Sequence, residues 1–182
     1  MRASDLQSKI RCSFVLYCIL REELGQNGNR FVEGKDKNMI EQDTVKLLRE
    51  CDAGVKMGVG SIEDVVDHVQ DENFRNCLVL CKKEHQKLQK EISQQLLQYQ
   101  DDGKAPNPMA KGMSYMKTNF KLAVEDTDQT VADLITDGCN MGVKSLNRYL
   151  NQYGAADEHS KDITKRLIHL EEQLATDVRM YL

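Results

Sequence analysis

The sequence has no tryptophan, only two prolines, and few other aromatics: six tyrosines and four phenylalanines. With so few breakers and bulky rings, the composition fits an all-helical protein. A long apolar run is also missing. The longest, Cys12–Leu20, is flanked by Arg11 and Arg21 and is far short of the roughly 20 residues a membrane span needs. Arg21-Glu22-Glu23-Leu24 lacks the small residues of a signal-peptide cleavage site. Concentrated positive charge is absent too. The net charge is −4, and basic residues are scattered apart from Lys82, Lys83, Lys87 and Lys90, which read as a solvated helix face. That excludes a general nucleic-acid binder, because phosphate contacts need a basic surface.

The six cysteines include no Cys-x-x-Cys pair and do not space like a secreted disulfide scaffold. They read as reduced, buried small hydrophobes in a cytoplasmic protein. There is no Gly-rich phosphate loop either, since Gly54–Gly60 falls inside a helical pattern.

What is present divides at Met39. Residues 1–38 read as an N-terminal extension: a possible accessory helix over Asp5–Leu24, then loop around Gly25–Asn29 and Gly34–Asn38. Met39 is a candidate natural start, which would make the first 38 residues translated upstream sequence. Residues 39–182 carry regular helical periodicity.

The first long helix is expected over Asp43–Val69, with Asp43 as N-cap and Leu48, Cys51, Val55, Val59, Ile62, Val66 and Val69 inward. A tight reversal at Gln70–Glu72 leads to the second, Asn73–Gln100, with inward Phe74, Leu78, Cys81, His85, Leu88, Ile92, Gln95 or Leu96, and Tyr99. Both prolines, Pro106 and Pro108, end that helix, and Met109–Ala123 reads as a short helix with Met109, Met113, Met116 and Phe120 on one side. The third long helix, Thr127–Tyr153, is expected to open on an Asp126/Gln129 cap and close at Gly154, with Gly138 and Met141 or Gly142 at its inward centre. The fourth runs over Asp157–Leu182, with Ile163, Leu167, Leu170, Leu174, Val178 and Tyr181 inward. Short links make two antiparallel hairpins, and a crossover of about 26 residues joins them, the ferritin-like version of a four-helix bundle.

Three stretches, Val45–Val66, Phe74–Ile92 and Met116–Gly138, carry a resemblance to a ferritin-like family of bacterial proteins of unknown function, the DUF2383 group, and His169–Leu182 supports it weakly. The likeness covers about residues 43–182 and rests on layout. It implies a four-helix bundle, and in members nearer true ferritins it implies inward glutamates and Glu-x-x-His pairs that hold two iron ions. This chain departs there. No Glu-x-x-His occurs; three residues after Glu84 stands Lys87, after Glu171 Leu174, and after Glu172 Ala175. The expected function is therefore a non-enzymatic, cytoplasmic interaction or structural module, self-associating or bound to a protein partner, without a di-iron site, cofactor or catalytic residue.

The alternative is a zinc or copper site, or a redox site, built from Cys81 and His85, four apart on one helix face, with Cys77 a turn earlier. A hydrogen-bonded core histidine among structural cysteines is the plainer expectation. Asp52, beside the first helix's stripe, and the pair Asp133 and Asp137 are weaker candidates for acid–base chemistry. Finally, Gly54/Gly58 and Gly138/Gly142 share a four-residue spacing near the middles of helices one and three. They predict close packing of those two helices, with a bend or room for a small ligand as the other options.

Overall fold

A computed structural model describes residues 34–106 and 127–182, with side chains described from Asn38 onward. The described chain is an all-α bundle of four helices: α1 (Gly34–Val65), α2 (Glu72–Gln98), α3 (Asp128–Gln152) and α4 (Glu158–Asp177). Short 3-10 turns follow α1 at Val66–His68 and α4 at Val178–Tyr181. The expected helices over Asp5–Leu24 and Met109–Ala123, together with Cys12 and Cys18, lie outside the described residues.

The α1–α2 hairpin turns at Val69–Asp71, where the Asp71 carboxylate accepts from the Phe74 N–H at 2.8 Å and starts α2. In the second hairpin Asp157 caps α4 by accepting from the Ser160 N–H at 2.7 Å. Cross-links at the two ends set the directions. At one end, the Gln70 and Asp71 N–H groups donate to the Asp128 carboxylate at 2.6 and 2.9 Å, which puts the start of α3 beside the α1–α2 turn. The Phe74 and Tyr181 rings stack there, their centroids 4.3 Å apart. At the other end, the Asp157 N–H donates to Thr44 at 2.9 Å, and the Tyr99 hydroxyl donates to Asp157 at 3.3 Å. The chain therefore leaves α2 at one end of the bundle and enters α3 at the opposite end. A helix of α2's length spans about 40 Å, so only a long crossover can make that connection.

Apolar stripes from all four helices meet inside. Phe74, Leu78, Leu88, Ile92 and Leu96 of α2 face Leu47, Leu48, Val55 and Ile62 of α1, Val131, Ile135 and Leu146 of α3, and Ile163, Leu167 and Leu174 of α4. The inward residues of α2 are those its periodicity predicts, except that Tyr99 is half-buried at the C-cap.

Several local expectations need correction. Gly34–Asn38 is the first stretch of α1 and not loop; no proline interrupts it, and Gln42 donates to Asn38 one turn back at 2.8 Å. Asp43 is thus inside α1, and its carboxylate accepts instead from the Ala155 N–H of the other hairpin at 3.2 Å. Near the end of α1 Val65 is buried and Val66 only half-buried. The α3 cap is Thr127, whose hydroxyl accepts from the Thr130 N–H at 3.2 Å. On α3 the inward sequence runs Val131, Ile135, Cys139, Gly142, Leu146, so the stripe is rotated by one residue at its centre. Cys139 is buried, whereas Gly138 is exposed and Met141 is 69% exposed.

Candidate functional site

One polar group lies deep in this apolar interior. His85, in the middle of the α2 stripe, is 1% exposed, and Glu171 of α4 is 8% exposed. Imidazole Nε2 stands 3.0 Å from Glu171 Oε1. The other nitrogen, Nδ1, stands 3.0 Å from the Cys81 carbonyl oxygen and 3.5 Å from the Cys81 sulfur. Helical spacing accounts for the second set of contacts, because residues four apart lie one above the other on one face. Cys139 of α3, buried at the same level, is close enough for the Glu171 charge to act on its thiol. Three helices thus supply four chemistry-bearing side chains.

The room for them comes from α1 and α3. A Cβ at Gly58 would lie 3.0 Å from the imidazole Cδ2 and Nε2 and 3.5 Å from Glu171 Oε1. A Cβ at Gly142 would lie 3.4 Å from the Glu171 carboxyl carbon. These two glycines accept the side chains of α2 and α4. Their expected partners do otherwise: at Gly54 and Gly138 no described atom would come within 4 Å of an added Cβ. The expectation that all four glycines bring α1 and α3 backbones together is therefore corrected. The two outer glycines meet no described atom, and the two inner ones border the His85–Glu171 pair.

Burial opposes the charge on His85, but the hydrogen bond and charge of Glu171, helped by the Cys81 carbonyl, outweigh it and raise the imidazole pKa. The thiol pKa values also rise, which here favours the neutral form. Burial first, then the Glu171 charge, pushes Cys81 and Cys139 well above the ordinary thiol range. Cys51, which shares a hydrogen bond with Thr164 at 3.2 Å, is pushed up to about 12 by burial, and Cys77 to about 11. All four described cysteines are free thiols, and at neutral pH they are protonated and so poor nucleophiles.

Cys81 and His85 are brought together as their spacing predicts. One imidazole nitrogen faces Glu171 and the other faces Cys81. Among the described residues, no three His, Cys, Asp or Glu side chains are grouped so as to hold a metal ion. Asp52 is buried, at 1% exposure, as its place beside the α1 stripe allows. Its Oδ2 accepts from Lys56 Nζ at 2.7 Å and from the Lys104 N–H at 2.9 Å, while Oδ1 has no hydrogen-bond partner. The chain after α2 is thereby fastened to α1, and Lys104 Nζ adds a 2.6 Å bond to Glu50. Gly103 permits this path with a φ of +82°, a conformation only glycine adopts freely. Asp133 is half-buried and Asp137 exposed on α3.

Glu171 is the central residue that sequence reasoning missed. The signal was present: Glu171 lies four after Leu167 and three before Leu174, on the inward line of α4. A carboxylate at such a position asks for a buried partner, and His85 was the one histidine on an apolar stripe.

Fold and site together define an all-α four-helix bundle with a histidine–glutamate pair sealed in its core. No family model, curated protein or solved structure matches the chain. None of the described helices is long and apolar enough to cross a membrane.

Proposed function

We propose that the protein is a non-enzymatic helical-bundle module of the bacterial cytoplasm that works by self-association or by binding a protein partner, and that its centre serves packing and not di-iron chemistry. The observation that carries this reading is the mutual saturation of the central polar groups. His85 spends one nitrogen on Glu171 and one on Cys81, and Glu171 spends an oxygen on His85. An oxygen-bridged iron pair would need inward carboxylates with free oxygens from each hairpin. Here α1 and α3 instead bring Gly58 and Gly142 to that level. The ferritin-like layout that the sequence resembles supports the same view: the bundle is kept while the ligand positions carry other residues.

Native mass spectrometry of protein from its own host, purified without chelator, tests this directly. A stable oligomer or a protein partner at fixed stoichiometry, with the mass otherwise that of the bare chain, is the expected result. Two iron ions per chain would overturn the reading. So would stoichiometric zinc or copper that disappears in a His85→Ala variant, which would favour the Cys81, His85 and Cys77 site.

A further inference from the structure

The donors and acceptors around His85 do not balance for a neutral ring. Nε2 faces a carboxylate oxygen and Nδ1 faces a carbonyl oxygen, each at 3.0 Å, and both oxygens only accept. An imidazolium satisfies both, because both of its nitrogens carry protons. A neutral imidazole would leave a lone pair pointed at an oxygen in a buried site, which is costly. One nearby group can relieve that cost: the Cys81 thiol, 3.5 Å from Nδ1, is a protonated, rotatable donor on the same residue whose carbonyl Nδ1 faces.

We propose that His85 is a proton-dependent hydrogen-bond switch between the carbonyl and the thiol of Cys81, with Glu171 holding the other nitrogen in both states. At neutral pH the Nδ1 proton goes to the Cys81 carbonyl. When pH rises, that proton is the one released, because the Nε2 proton is held by a charged acceptor and charge-assisted bonds are the stronger. The Cys81 S–H then turns in and donates to Nδ1. The groups facing the ring are few. From α2 there is Cys81; from α4, Glu171; from α3, Cys139, acting through Glu171; from α1, Gly58, which brings no side chain. The switch goes beyond the proposed packing role, since it makes the α2–α4 contact respond to pH. The ion pair is complete in the protonated state, so the bundle is firmer there and loosens as His85 titrates.

Nitrogen NMR of the imidazole in the whole chain, followed across pH, tests this. Near neutral pH both His85 nitrogens are expected in the protonated range. At alkaline pH Nδ1 alone should lose its proton, and the infrared S–H band should move to lower frequency as the thiol becomes a donor. Two variants should shift the titration midpoint in opposite directions, each by about one pH unit. Glu171→Gln lowers it by removing the charge that favours imidazolium, and Cys81→Ala raises it by removing the donor that serves the neutral ring. A ring with a single protonated nitrogen at neutral pH overturns the switch. So does loss of the Nε2 proton first, or a Cys81→Ala midpoint that is unchanged or lowered. The wild-type measurement is decisive even where a variant does not fold.

Discussion

Two glycine pairs with the same four-residue spacing have opposite surroundings. Gly58 and Gly142 touch the buried pair: an added Cβ at Gly58 would be 3.0 Å from the imidazole, and one at Gly142 would be 3.4 Å from Glu171. Gly54 and Gly138, one turn earlier on the same helices, meet no described atom within 4 Å. Spacing alone therefore does not say what a glycine in a helix is for. A missing Cβ is required where a large, fixed side chain of another helix occupies its place. Elsewhere it only lowers helix stability, by roughly 1 kcal/mol relative to alanine.

The comparison breaks hardest at its inner side. His85→Ala removes the partner of a buried carboxylate and opens a cavity, so it should cost about 3–5 kcal/mol in urea unfolding. A loss under about 1 kcal/mol, the range of exposed ion pairs, would mean the pair is solvated and the centre open. Next comes Gly58→Ala. The imidazole is held at both nitrogens and cannot retreat, so overpacking of about 1–3 kcal/mol outweighs the helix gain and the melting temperature should fall. A rise would show that the ring gives way. At Gly142 the contact is ordinary and the Glu171 side chain is flexible, so alanine should be close to neutral there.

The outer pair sharpens the contrast with the opposite sign. Gly54→Ala and Gly138→Ala should each stabilise the bundle by about 0.5–1 kcal/mol, through the reduced conformational freedom of the unfolded chain. Gly138→Glu should leave the melting temperature close to that of the parent, because the side chain points to solvent. A clear destabilisation by any of these would restore the close-packing idea.

The smallest effect concerns acid. The Phe74 N–H, with the Tyr181 hydroxyl, lowers the Asp71 pKa although Asp71 is exposed enough for solvent to weaken the effect. A lowered folded-state pKa contributes stability above the unfolded value and loses it as pH falls through the folded one. His85 runs the other way. Its raised pKa contributes fully below the ordinary imidazole value and fades as pH rises through the folded one. Thermal melts of wild type should therefore decline on the alkaline side through His85. On the acid side Asp71→Asn should flatten the decline slightly.

Much of the bundle was legible beforehand because it rests on local rules. The core stripe of α2 and the short links are set by helical period and chain length, whereas the caps were not legible: Asp43 and Asp126 were expected, and Asp71, Thr127 and Asp157 cap instead. The centre of α3 was harder. Gly138, Met141 and Cys139 all lie near the stripe, and a helix that advances 100° per residue can be rotated slightly without changing its count of apolar contacts. Cys139 faces inward, and only the packing of α3 against the other helices shows it.

By itself, then, the sequence determined the helices, the hairpins and the crossover that joins opposite ends, along with the absence of Glu-x-x-His. Those properties depend on neighbours within a few turns and on chain length. The meeting of His85 with Glu171 was decided by tertiary structure alone, as was the division of the glycines into two that accommodate that pair and two that meet no described atom. The two partners are 86 residues apart on different helices. No local rule couples them; only the packing of α2 against α4, with α1 and α3 trimmed to glycine beside them, makes a buried charge pair cheaper than a hole.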